Sequence, residues 1–112
     1  MLESVRGQFF RHLGRSFRQW QEQDTSFPVI ECRLQYKGPA RYDDSLAIEV
    51  GVLNTSGVRL NFNYRVLKQD GLLVVEAATF HACARLNEKP KHLPKELLFL
   101  LEPYALPAGS SN

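Results

Sequence analysis

Apolar residues recur every three or four positions at the start of the chain. They are Leu2, Val5, Phe9 and Leu13. Glu3, Arg6, Gln8 and Arg11 fall elsewhere. This spacing predicts an amphipathic helix whose apolar face covers a core. Gly14 can close such a helix, and Ser16–Gln19 has the pattern of a capping box that begins a second short helix. One continuous helix across Gly14 is the alternative that the pattern leaves open.

From Phe27 onward the apolar period changes to two. Three segments alternate apolar and polar residues, over positions 30–36, 46–52 and 58–66. Successive side chains of a strand point to opposite faces, so we predict three strands, each buried on one face.

A fourth apolar run spans residues 72–86 and follows Asp70-Gly71, which predicts a tight hairpin turn. The run is apolar or small on both faces around Glu76 and His81, a pattern typical of a strand covered on both sides. We expect His81 to be a hydrogen-bonded core histidine, in preference to a catalytic one, because no nucleophile pairs with it in the sequence.

The chain closes on a short predicted helix that has Pro94 in its first turn and reaches about Glu102. We predict a single domain over residues 1–104 and a flexible tail of small and polar residues over 105–112. One helix followed by consecutive antiparallel strands predicts an α+β fold.

Composition narrows the class of protein. The 112 residues are 44% hydrophobic and 23% charged, as expected of one globular domain. The net charge is only +2 and the basic residues are scattered, which argues against a nucleic-acid partner. No apolar run approaches the roughly 20 residues that span a bilayer. With no readable secretory signal, we expect a cytoplasmic protein without a membrane partner.

The two cysteines, Cys32 and Cys83, fall inside strand-like runs. Their spacing fits no metal site, and buried reduced thiols are favoured over a disulfide.

The segment from Pro28 to Asp44 joins an alternating strand to a Gly-Pro turn and a Tyr-Asp-Asp step. It resembles the hotdog-fold acyl-CoA thioesterases of the 4-hydroxybenzoyl-CoA thioesterase type. The resemblance extends to Leu2-Glu3-Ser4, His81-Ala82-Cys83, Lys89-Pro90 and Leu93-Pro94. It implies a central helix wrapped by a curved antiparallel sheet, and hydrolysis of an acyl-CoA thioester to a free acid and CoA.

The resemblance also implies where the chemistry lies. Members of the family carry a first strand and an Asp-containing loop before the central helix, and these would precede Met1, so we expect the chain to be N-terminally incomplete relative to the family. Glu3 is the carboxylate nearest the start of that helix, which makes it our candidate catalytic residue. The alternative is a solvated Glu that suits a helix N-terminus. No cofactor is expected, since coenzyme A is part of the substrate, and no metal set is present in the sequence.

Coenzyme A carries phosphates, which proteins usually hold with Arg or Lys near a surface groove. Our candidate substrate-binding residues are Ser56, Gly57, Arg59, Arg85, Lys89 and Lys91. The backbone of Ser56 and Gly57 could cradle a phosphate. For Arg85 and the two lysines, a solvated charged turn is the alternative.

In this family two subunits typically join edge to edge into one sheet, with the pocket between them. The aromatic residues Phe9, Phe10, Phe17 and Trp20 favour association, so we expect a homodimer or homotetramer. The alternative function is a catalytically inactive hotdog protein that binds an acyl-CoA or acyl-carrier ligand or serves as an assembly module. The sequence does not specify the acyl group.

Overall fold

The computed structural model describes residues 2–106. In chain order its elements are the helices α1 (Leu2–His12) and α2 (Phe17–Gln21), the strands β1 (Val29–Tyr36), β2 (Leu46–Ser56), β3 (Arg59–Lys68) and β4 (Leu73–Ala82), and the helix α3 (Lys95–Leu101), which continues into a short 3-10 turn (Glu102–Tyr104). Every strand pairing is antiparallel, and the sheet lies against α1. The predicted α+β class is confirmed.

The four strands form one sheet in the order β1-β4-β3-β2. β2, β3 and β4 follow one another through tight turns, and β1 pairs with β4, so β1 and β2 are the two edges. Gly71 has a φ of 88° between β3 and β4, which only glycine adopts readily, and the predicted hairpin turn is confirmed.

Two separate helices begin the described chain. Gly14 has a φ of 106° directly after α1, a conformation that ends a helix. Ser16 then caps α2: its Oγ accepts the backbone N–H of Gln19 at 3.2 Å, and the Gln19 side chain accepts the backbone N–H of Ser16 at 2.8 Å. The capping box is confirmed, and the continuous helix is excluded.

The core lies between α1 and the inner face of β3. Phe9 and Phe10 of α1 meet Phe62 of β3, with ring centroids 5.8 and 6.0 Å apart. The buried apolar set continues with Trp20, Leu60, Leu97 and Leu101. Burying each large apolar side chain stabilises the fold by about 1.5–3 kcal/mol, so this cluster fixes α1 on the sheet.

Strand β1 departs from the prediction. All eight of its residues are exposed, including Ile30 and Leu34, and Tyr36 is 81% exposed. The predicted half-buried strand is therefore wrong for β1, because α1 packs on β3 and nothing among residues 2–106 covers the inner face of this edge. For the same reason Cys32 is exposed, against the prediction, whereas Cys83 is buried as predicted; both thiols are free.

Two residues of the predicted tail lie against the sheet. Ala105 forms a parallel bridge with Val52 of β2, and the backbone N–H of Leu106 donates to the Val52 carbonyl at 2.9 Å. Gly51 makes room for them, since a Cβ at that position would come within 2.8 Å of the Leu106 side chain. The rest of the tail, residues 107–112, lies outside the described chain. Across residues 2–106, none of the helices combines the length and apolar character needed to cross a membrane.

Candidate functional site

A groove of about 410 Å³ opens beside the first turns of α1, and we call it the helix groove. Its lining residues are Glu3 and Arg6 of α1, Phe17 and Gln21 of α2, and Thr25, Ser26, Phe27 and Pro28 of the segment that leads into β1. Glu3 is exposed in the first turn of α1, where the unpaired backbone N–H groups carry a partial positive charge. The helix groove therefore contains a carboxylate next to a helix N-terminus.

A second groove, of about 480 Å³, adjoins the first, and we call it the basic groove. Arg59 at the start of β3 and Arg85 after β4 both line it, together with Glu88. Ser26 and Pro28 line both grooves, so the two grooves adjoin at the segment that leads into β1.

Arg6 is the residue of the helix groove that the sequence analysis placed wrongly. The helical period put it away from the apolar face, yet only 7% of its surface is exposed. Its Nη1 donates to the Tyr64 hydroxyl at 3.4 Å. Among residues 2–106 no carboxylate lies within ion-pair distance of it. Arg6 is thus a buried cation with a neutral partner.

Arg6 is the first member of a buried polar chain. The Tyr64 hydroxyl lies 2.7 Å from Thr79 Oγ1, which lies 2.9 Å from His81 Nε2. His81 Nδ1 lies 3.0 Å from the Phe27 carbonyl oxygen, which can only accept, so Nδ1 carries a proton. The predicted core histidine is confirmed. Because Arg6 and Phe27 both line the helix groove, the buried chain begins and ends at that groove.

Burial determines the protonation states of His81 and Tyr64 in this buried polar chain. It lowers the pKa of His81, and the nearby positive charge of Arg6 lowers that pKa further, although the hydrogen bond to Phe27 opposes the shift. Burial also raises the pKa of Tyr64. Both side chains are consequently neutral near pH 7.

Asp24 organises the loop beside the basic groove. Its carboxylate accepts the backbone N–H of Leu86 at 2.9 Å and the Arg85 guanidinium at 3.0 Å. The Leu86 bond, followed by the Arg85 bond, lowers the pKa of Asp24. The Lys91 ammonium donates to the carbonyls of Gln23 and Asp24 and to Thr25 Oγ1, at 3.1, 3.2 and 2.7 Å. These three acceptors use all three ammonium protons.

The remaining candidates lie at the rim. Ser56 is the last residue of β2 and Gly57 begins the turn into β3, close to Arg59, and both are exposed. The Lys89 side chain is exposed and does not line the basic groove. The structure therefore brings Arg59 and Arg85 to one groove and Glu3 to its neighbour, and it places the other four candidates around them. No cluster of potential metal ligands occurs among the described residues.

Sequence reasoning missed Arg6, Tyr64 and Thr79 as parts of the site. One signal was available: Tyr64 falls on the apolar face of the β3 alternation, where its hydroxyl needs a buried partner.

Comparison with known proteins gives consistent matches. The thioesterase superfamily matches residues 1–75. The acyl-CoA thioester hydrolase YbgC of Escherichia coli is 30% identical over 97 residues, which cover 86% of this chain and 72% of YbgC. A hypothetical protein of Aquifex aeolicus has a crystal structure that superimposes with a TM-score of 0.80 at 29% identity, covering 89% of this chain and 78% of its own.

A more distant structure shares the fold. The DHNA-CoA thioesterase of Staphylococcus aureus superimposes with a TM-score of 0.75 at 23% identity, over 92% of this chain and 70% of that enzyme.

Proposed function

The chain belongs to the thioesterase superfamily, and from that membership we propose that it hydrolyses acyl-CoA thioesters to a free acid and coenzyme A. The hotdog fold that the sequence resemblance implied is confirmed by the architecture and its structural matches. One observation supports the activity most directly: a groove that holds a carboxylate adjoins a groove that holds two arginines.

The two grooves suit the two halves of an acyl-CoA. Arg59 and Arg85 offer guanidinium groups to the nucleotide phosphates, with the Ser56-Gly57 turn close by. The pantetheine arm passes Ser26 and Pro28, which line both compartments. The acyl group then enters the helix groove.

In this arrangement Glu3 is the catalytic carboxylate. Its oxygen removes a proton from water as the water attacks the thioester carbonyl, or it attacks that carbonyl directly. In either case the C–S bond breaks, and the CoA thiolate leaves and takes up a proton. Attack by water gives the free acid at once, whereas attack by Glu3 gives an acyl–Glu3 anhydride, which water then hydrolyses to the free acid and the restored carboxylate. The backbone N–H groups of the first turn of α1 stabilise the negative charge that develops on the carbonyl oxygen.

A second copy of the chain is the proposed partner of β1. This edge strand presents unpaired backbone groups together with the exposed side chains of Ile30, Leu34 and Tyr36. Antiparallel pairing with the β1 of another copy would satisfy the backbone and cover these side chains. The result is a homodimer, or a homotetramer built from two such pairs.

Release of the CoA thiol from a panel of aromatic and aliphatic acyl-CoAs tests the proposal, with Glu3→Gln as the key variant. We expect Glu3→Gln to lower kcat by about 10²–10⁴-fold while it still binds acyl-CoA, because the amide can neither deprotonate water nor attack. Glu22→Gln is the matched control, since Glu22 is exposed at the end of α2 and lines neither groove.

The outcomes separate the functions. Wild-type activity in Glu3→Gln would remove Glu3 from the mechanism. A folded wild-type protein that binds acyl-CoA and releases no thiol would instead be a catalytically inactive binding protein.

A further inference from the structure

We propose that Arg6 binds a free carboxylate at the far end of the acyl group, so that dicarboxylic acyl-CoA thioesters are the preferred substrates. This inference rests on the proposed thioesterase function and names the substrate class of the helix groove.

Arg6 carries a buried charge with no opposite charge in ion-pair distance among residues 2–106. A guanidinium stays protonated in a protein, and an ion removed from water is costly unless an opposite charge or several hydrogen bonds compensate it. Only 7% of the surface of Arg6 is exposed. Within residues 2–106 its side chain donates one hydrogen bond, a long one of 3.4 Å, to the neutral Tyr64 hydroxyl. The other guanidinium nitrogens are not among the fully buried atoms that lack a partner, so they remain accessible, and an anionic ligand in the helix groove would compensate the charge.

The Arg6 guanidinium also has more N–H donors than the one side-chain acceptor that it contacts among residues 2–106. A guanidinium has five N–H groups in a planar fork, and Tyr64 accepts one of them. Arg6 lines the helix groove, so the fork is adjacent to the space that an acyl group would fill. A carboxylate accepts from such a fork through two parallel hydrogen bonds, which is the preferred geometry for this pair.

The bound anion belongs to the acyl group, because the phosphates of CoA have other partners. Arg59 and Arg85 are both exposed in the basic groove, and Arg85 keeps free N–H groups beside its ion pair with Asp24. Arg6 lies in the other compartment, whose walls include the aromatic rings of Phe17 and Phe27. These rings suit an apolar spacer between the thioester and the terminal carboxylate.

Arg6 also lies close to Glu3 on α1. The two residues lie three positions apart on α1 and are neighbours on its surface, roughly one helical turn or about 5 Å apart along the axis. A thioester carbonyl at Glu3 and a carboxylate at Arg6 are then separated by a spacer of a few carbons. Glu3 forms no ion pair with Arg6, which leaves its carboxylate available for the reaction.

The test compares two substrates of nearly equal shape. One is glutaryl-CoA, and the other is the branched acyl-CoA in which an isopropyl group replaces its free carboxylate. Thiol release is measured for both, after subtraction of the rate without protein, and the ratio of their kcat/KM values is the readout. We expect a wild-type ratio of about 10–100 in favour of glutaryl-CoA, the range for charge-assisted hydrogen bonds.

Variants of Arg6 test the residue itself. Arg6→Met should remove the preference for glutaryl-CoA, and Arg6→Lys should retain part of it, since the ammonium keeps the charge and loses the fork. Arg11→Met is the matched control, because Arg11 is exposed on the same helix and does not line the groove. Circular dichroism and thermal unfolding establish that each variant is folded.

The outcomes are distinct. Equal wild-type rates for the two substrates, or an Arg6→Met variant that lowers both rates by the same factor, would overturn the inference and leave the thioesterase proposal standing. Hydrolysis of neither substrate would count against the thioesterase proposal. In that case calorimetric titration with the same pair decides the inference: tighter binding of glutaryl-CoA that Arg6→Met abolishes would support it, and equal affinities would overturn it.

Discussion

The hydroxyl oxygens of Tyr64 and Thr79 lie 2.7 Å apart in the core, and this contact joins Arg6 at one end of the buried chain to His81 at the other. The direction of each bond follows from the Phe27 carbonyl, which must accept from His81 Nδ1. A neutral His81 then accepts from Thr79 at Nε2. Thr79 therefore accepts from Tyr64, and Tyr64 accepts from Arg6. Every hydroxyl in the chain donates once and accepts once, so each member depends on the next.

Tyr64→Phe should destabilise the protein by about 1–3 kcal/mol, measured by urea unfolding. The substitution keeps the ring and removes the hydroxyl, which leaves Thr79 without a donor and Arg6 without its acceptor. Tyr104→Phe is the control. It also removes one hydroxyl contact, the 2.9 Å contact with His12, but that contact is exposed and the half-buried ring is kept, so its cost should be under about 1 kcal/mol.

A double-mutant cycle checks that Tyr64 and Thr79 act together. Thr79→Val alone leaves the Tyr64 proton and His81 Nε2 without partners. In the double variant Tyr64→Phe with Thr79→Val, part of that cost is already present, so the two effects should fall short of additivity by about 0.5–3 kcal/mol. Strict additivity would mean that the 2.7 Å contact contributes nothing to stability.

The free energy of unfolding should fall as the pH is lowered below about 6.5, the ordinary pKa of histidine. Burial holds the pKa of His81 below that value in the folded protein, so the unfolded state binds the proton more readily in this range. Stability is complete above the unfolded pKa and is lost as the pH falls toward the folded pKa, with a slope of up to about 1.4 kcal/mol per pH unit.

His81→Gln should flatten this profile below about pH 6.5, because glutamine does not titrate. His92→Gln is the control: His92 is exposed and should leave the wild-type slope in place. Urea unfolding at a series of pH values measures both. Identical profiles for wild type and His81→Gln would show that His81 is protonated equally in the folded and unfolded states.

The sequence was sufficient where local chemistry decides the structure. The capping box at Ser16, the turn at Gly71 and the alternation of β3 each depend on a few neighbouring residues, and the structure confirms all three. The resemblance to hotdog thioesterases added the arrangement of these elements, because a period of two identifies strands without specifying their order in a sheet.

The sequence was insufficient where the outcome depends on distant residues. Arg6 is buried because Tyr64, 58 positions later, provides a hydroxyl below α1. The helical spacing of apolar residues contains no information about so distant a partner. The exposure of β1 has the same kind of cause. Its alternation correctly marks Leu34 and Tyr36 as facing one side, but at the edge of the sheet that side is left uncovered by residues 2–106.

Association of two copies through β1 should be disrupted by a charge on the face of β1 that carries Leu34 and Tyr36. Leu34→Glu places a carboxylate where two copies would bury a leucine, and removing a charge from water at an interface is costly. We expect this variant to sediment as a monomer in analytical ultracentrifugation under conditions where the wild type sediments as a dimer or tetramer. The change should leave the monomer fold intact, since Leu34 lies on an exposed edge.

Leu72→Glu serves as the control for that experiment. Leu72 is also exposed, at 60%, but it lies in the turn between β3 and β4 and is not part of the edge strand β1. It should associate as the wild type does. A wild-type protein that is monomeric, or a Leu34→Glu variant that still associates, would exclude β1 as the interface.

The basic residues near the second groove should divide into one that stabilises the loop and one that binds CoA. Lys91→Met removes three hydrogen bonds to the segment 23–25 and should cost about 1–3 kcal/mol of stability, with little effect on CoA affinity. Arg59→Met should weaken CoA binding with little effect on stability, because Arg59 is exposed in the basic groove and has no role in the core.

Calorimetric titration with CoA at low and high salt, together with urea unfolding, distinguishes these roles. At low salt Arg59→Met should bind CoA severalfold more weakly than the wild type. At high salt the two affinities should be closer together, since salt screens an exposed charge pair. The Lys91→Met variant should show wild-type affinity at both salt concentrations. If Lys91→Met weakened CoA binding as strongly as Arg59→Met, the Lys91 ammonium would have to leave its three acceptors to reach a phosphate, and the loop would rearrange when CoA binds.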